Sequence, residues 1–154
     1  MKFISSMLLG AAALANVALA DSEEFNFLGL RSGSKFHFSS VHADNGALKL
    51  GGKGEALSAV ITDNGKLRLS DGKYAVVTAS GPIIEGSEQD ASTGFSVAEG
   101  YLKYAGNSAF VPISVGDSYE LSVRPMDPSD IAISIRAQSK TNVGAAIPDF
   151  LANL

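Results

Sequence analysis

AVITDNGKLRLSDGKYAVVT, residues 59–78, decides the fold class. Three short apolar-rich segments, Ala59–Thr62, Lys66–Leu69 and Tyr74–Thr78, are parted by Asp63-Asn64-Gly65 and Asp71-Gly72. Asn-Gly and Asp-Gly supply the positive φ angles that tight hairpin turns need. The stretch therefore predicts an antiparallel meander rather than a helix, because its apolar residues recur at intervals of two and not of 3.6.

Working outward, the same grammar recurs on both sides. Candidate strands before the meander are Phe25–Leu30, Phe36–Val41 and Ala47–Leu50. After it come Pro82–Ile84, Phe95–Ala98, Tyr101–Tyr104, Phe110–Ser114, Tyr119–Val123 and Ile131–Ile135. Asp44-Asn45-Gly46, Gly81-Pro82, Glu99-Gly100 and Gly116-Asp117 punctuate them. The alternation turns Phe27, Phe38, Leu48, Val60, Leu67, Tyr74, Val76, Phe95, Leu102, Phe110, Leu121, Ile131 and Ile135 inward.

A weak repeat runs through this series. Phe27–Leu30, Leu67–Leu69 and Leu102–Tyr104 each head a segment, an aromatic-bearing strand follows each, and the period is roughly 35 to 40 residues. Four strands per unit and three units predict an all-β, β-trefoil-like closed barrel; a β-sandwich is the alternative. Closure removes the exposed sheet edges that invite aggregation.

The first twenty residues follow different rules. Lys2 precedes an apolar run from Met7 to Leu19, and Ala18-Leu19-Ala20 places small residues where a signal peptidase reads them. The run is too short and too Ala-rich to span a bilayer. Residues 1–20 are expected to be a signal peptide cut between Ala20 and Asp21, residues 21–140 an all-β domain, and residues 141–154 a C-terminal tail. Removing 20 of 154 residues leaves 134, and losing Lys2 takes the net charge from -4 to -5. An exported product with no membrane span follows. Its 0 Cys means that the core and the sheet must hold it without disulfides.

Composition also bounds the chemistry. A net charge of -4 lacks the basic surplus that binds nucleic acid. The absence of Cys excludes thiol nucleophiles and Cys-ligated metals. His37 and His42 are the only imidazoles, and no Gly-x-Ser-x-Gly elbow accompanies them. His37 is expected on the opposite strand face from Phe36 and Phe38, and His42 at the surface. The aspartates sit beside Gly, Asn, Ser or Pro, where their side chains bond turn backbone. No catalytic, cofactor or metal site is expected. Tyr101, Tyr104 and Tyr119 are the candidates for contact with carbohydrate, since exposed aromatics stack on sugar faces; there is no Trp.

Nine blocks stand in register with a known family. They are Asp21-Ser22-Glu23-Glu24-Phe25, Arg31-Ser32-Gly33-Ser34, Asp44-Asn45-Gly46, Leu48-Lys49-Leu50-Gly51, Ile61-Thr62-Asp63, Gly65-Lys66-Leu67, Lys73-Tyr74-Ala75-Val76-Val77, Glu85-Gly86-Ser87-Glu88 and Thr93-Gly94-Phe95-Ser96. Through them the chain resembles the N-terminal domain of the yeast covalently linked cell-wall mannoproteins. The resemblance implies a secreted, non-enzymatic structural component of a fungal cell wall, with wall polysaccharide, β-glucan above all, as its partner. A module that recognises β-glucan or mannan is the alternative. Family members attach to glucan through a glycolipid-anchor remnant or through a Gln in a short repeat. Gln89 and Gln138 stand in other contexts, so what the resemblance carries over is the domain.

Overall fold

The computed structural model describes residues 20–52 and 54–152. The expected signal peptide therefore lies, apart from Ala20, outside the described residues. Twelve strands follow: β1 Phe25–Leu30, β2 Val41–Asp44, β3 Ala47–Leu50, β4 Ser58–Ile61, β5 Leu67–Leu69 and β6 Tyr74–Val77, then β7 Ile83–Gly86, β8 Phe95–Ala98, β9 Tyr101–Tyr104, β10 Val111–Val115, β11 Ser118–Ser122 and β12 Ser134–Ser139. No helix occurs among the described residues.

All strand pairs are antiparallel and belong to one sheet, in the order β10-β11-β3-β7-β6-β5-β4-β1-β12-β9-β8, with β2 on β3. The meander read from residues 59–78 is present: Ile61 faces Leu67, and Arg68 faces Tyr74. The longest ladder joins the two ends of the domain, β1 to β12, from Phe25↔Ser139 to Leu30↔Ser134. Phe25, Phe27, Leu48, Ile61, Leu67, Phe95, Leu102, Phe110, Leu121 and Ile135 fill one continuous core.

The all-β expectation holds, but the sheet is not closed into a barrel. Its pairing order stops at β8 on one side and β10 on the other. Between β5 and β8 there is no ladder; Phe95 N–H donates instead to the carbonyl of Gly65 at 3.0 Å. The physical reason is length. β5 has only three residues, and its partners β4 and β6 already claim both of its edges. A sandwich remains compatible with this pairing.

Three like connections recur nonetheless. Leu57 N–H donates to Val41 O at 2.8 Å, Ser92 N–H to Ala75 O at 3.1 Å, and Ile133 N–H to Phe110 O at 2.6 Å. The hairpins β2–β3, β6–β7 and β10–β11 also touch one another pairwise, through Ala47↔Ile84, Glu120↔Lys49 and Pro82↔Ser122.

Several local readings need correction. Residues 32–38 form turns, so the strand expected at Phe36–Val41 begins only at Val41. Phe38 is not core but 67% exposed, with φ 67°. Ile131 is exposed, because the last strand starts three residues later. In β6 the buried residue is Ala75, and Tyr74 and Val76 are half-buried. The segment after β12 folds back: Gln138 bridges Ala146, Val97 bridges Phe150, and Ile147 is buried.

Candidate functional site

The β2–β3 hairpin turns at Asn45 and Gly46, both with positive φ, and pairs from Val41↔Leu50 to Asp44↔Ala47. The β10–β11 hairpin turns at Gly116-Asp117 and pairs from Val111↔Ser122 to Val115↔Ser118. Lys49 joins the two. Its ammonium donates to Ser118 Oγ at 3.0 Å and lies 3.2 Å from Asp44 Oδ2, although the residue is buried. A buried ammonium needs such partners to offset its desolvation.

The loop between β1 and β2 leans over this pair. Arg31 N–H donates to His37 Nδ1 at 3.0 Å, and Phe38 N–H donates to Gly29 O at 2.6 Å. Gly29 N–H donates in turn to Ser39 O at 2.8 Å. This clamp turns Phe36 toward Tyr119, edge to face, with ring centroids 4.9 Å apart. Lys35 Nζ sits 4.4 Å from the centre of the Tyr119 ring. Such an exposed cation–π contact contributes about 0.5–1 kcal/mol, little enough for a ligand to displace it.

A cleft of about 540 Å³ results, lined by Lys35, Phe36, His42, Asp44, Asp117 and Tyr119 among others. A second hollow of about 160 Å³ lies across the same wall, lined by Lys35, Phe36, Tyr119, Pro112, Asp130 and Ile131 among others. His42 is 8% exposed rather than at the surface. Gly54 explains this: a Cβ there would stand 2.6 Å from His42 Cδ2, so only glycine lets the backbone close over the ring.

Of the three tyrosines singled out by sequence, Tyr119 alone lines this cleft. Tyr101 and Tyr104 lie on β9, near the other end of the pairing order, and Tyr104 packs against Phe95 at 5.0 Å. Sequence reading missed Phe36 and Lys35 as partners of Tyr119. The signal available was a Lys-Phe pair just before a residue with positive φ, and nothing in local spacing points it at a strand some 80 residues on.

One carboxyl stands apart in its electrostatics. Glu85 on β7 has a side chain 4% exposed, and its Oε2 has no hydrogen-bond partner. Burial first, then the hydrogen bond and charge of Asp71, push it up from 4.5 to about 7; Lys73, 4.0 Å away, opposes them. Glu24 is shifted the other way, by its hydrogen bond from Ser58 and by Lys140 at 3.3 Å, against the effect of burial. No group of three or more His, Cys, Asp or Glu that could hold a metal occurs among the described residues. No helix among them is long and apolar enough to cross a membrane.

No family model matches the chain, and no solved structure matches it significantly. It is similar to a curated protein, cell wall protein CWP1 of Saccharomyces cerevisiae, at 45% identity over 150 residues. The match takes in 97% of this chain and 62% of that protein, so the chain spans less than two-thirds of its relative's length.

Proposed function

We propose that the chain is a member of the yeast cell-wall mannoprotein family and a secreted, non-enzymatic structural component of the fungal cell wall. The observation that carries this is kinship with a cell wall protein along nearly the whole chain. The resemblance first seen in nine short blocks thus extends well past them. Its mechanism is passive: a compact, mildly acidic, cysteine-free domain seated in polysaccharide.

We further read the sheet as a trefoil of three four-strand units. The three like connections and the three mutual hairpin contacts support it, and the single Phe95–Gly65 hydrogen bond lies where β5 and β8 come nearest to meeting. A domain with so little free edge resists strand-to-strand aggregation when crowded in a matrix.

Export requires cleavage between Ala20 and Asp21. The residues that follow are then engaged with the sheet: Asp21 pairs with Arg68 at 3.0 Å, and Ser22 exchanges hydrogen bonds with Ile61. The test is sequential extraction of walls from expressing yeast with hot detergent, mild alkali and β-glucanase, with the mass of the product read in each fraction. Recovery from walls, with Asp21 at its N-terminus, is expected. Recovery only from cytosol or culture medium would overturn the reading.

A further inference from the structure

We propose that the cleft and the hollow flanking the Lys35–Phe36–Tyr119 wall form one groove for a neutral hexose polysaccharide, with a sugar ring on each side. This rests on the wall reading above for its biological setting. It goes beyond that reading by giving the domain a non-covalent glycan site.

Shape comes first. Both concavities share Lys35, Phe36 and Tyr119, so a chain crossing the wall can enter each in turn. A single small ligand needs only one of them.

Chemistry comes second. Phe36 and Tyr119 offer ring surface, which suits the C–H faces of a pyranose. Asp117 on one side offers a carboxylate to sugar hydroxyls, while Asp44, paired with Lys49, and Asp130, whose Oδ2 accepts from Met126 and Asp127 N–H, each keep a second oxygen. Hydrogen bonds to such charged acceptors are the strong ones.

Charge comes third. Asp44 is already matched by Lys49, and Lys35 lines one concavity with Asp117 and the other with Asp130. An anionic polymer would meet three carboxylates. A cationic one would meet the Lys35 ammonium in both concavities. A neutral, polyhydroxylated chain meets neither penalty.

Strain comes fourth. Phe38 holds a left-handed backbone that bulky residues avoid, and this reversal is what leaves Phe36 against Tyr119. Strain retained beside a concavity is a common mark of a ligand site.

Affinity electrophoresis of the secreted protein through gels containing soluble β-1,3-glucan, yeast mannan or polygalacturonate tests the proposal. Retardation is expected in glucan or mannan, and the arm that retards identifies the source. Tyr119→Ala is expected to weaken it about tenfold, as is Asp117→Ala. Tyr101→Ala, on the distant β9, should stay within about twofold. If Tyr119→Ala does not fold, Asp117→Ala decides alone, since it lies in an exposed turn. No retardation by either neutral polymer, stronger retardation by polygalacturonate, or unchanged binding in the groove variants would overturn it. Wall recovery with no gel retardation would sink the groove alone. Retardation without wall recovery would sink the wall reading alone.

Discussion

Glu85 on β7 carries a carboxyl that burial pushes up to about 7. The folded chain keeps its proton up to about pH 7, whereas the unfolded chain releases it near 4.5. The folded pKa is the raised one, so this group's stabilisation is fullest below 4.5 and falls as pH rises through 7. Denaturant melts should therefore show stability declining from pH 5 to pH 8. Glu85→Gln should flatten that decline and make the protein more stable at pH 8, by on the order of 1–2 kcal/mol. An unchanged slope in the variant would contradict the assignment. Phe38 supports a second test at this scale. Its left-handed backbone carries roughly 1–2 kcal/mol of strain that Asn tolerates better. Phe38→Asn should raise the melting midpoint, and a clear loss would mean that the His37–Phe38 stack, at 3.9 Å, outweighs the strain.

Among the elements, hairpins were the most legible in sequence. Asp63-Asn64-Gly65 and Asp71-Gly72 forced turns wherever the strands lay, so the meander was readable from one stretch. Register was less so. Tyr74-Ala75-Val76-Val77 is apolar at every position, and period two cannot say which half faces in. The core took the small Ala75. The polar Ser134–Ser139 strand hid for the opposite reason: only Ile135 and Ala137 mark its buried face, yet β1 pairs along its full length. Tyr119 was found by residue type, but its neighbours Phe36 and Lys35 meet it only through tertiary packing. Lys49 is a similar case, a charged residue on a wholly buried strand. Its link from β3 to β11 is worth about 1 kcal/mol, part charged hydrogen bond and part screened ion pair. A double-mutant cycle of Lys49→Met with Ser118→Ala should return a coupling of that order. A coupling of zero would mean that the two hairpins hold together by strand pairing alone.

The whole molecule closes on itself at its ends. Residues 145–150 add backbone bonds to Ser139, Ala137 and Val97 and bury Ile147 in the core. Sequence reading left this segment open because Pro148 and the small residues around it carry no period. Deleting residues 145–154 should cost about 2–4 kcal/mol, from the lost Ile147 and its bonds; a melt unchanged by the deletion would show that the segment contributes nothing. With no cysteine in the chain, such packing holds the domain without disulfides.

The central claim is residence in the wall, and the most direct measurement is made on intact expressing cells. A membrane-impermeant amine reagent is applied, walls are purified, and the labelled share of this protein is counted in wall, medium and cell interior. The account predicts that most of the protein is labelled and stays with the washed walls. Protein that is unlabelled inside the cell, or labelled but wholly in the medium, would contradict it.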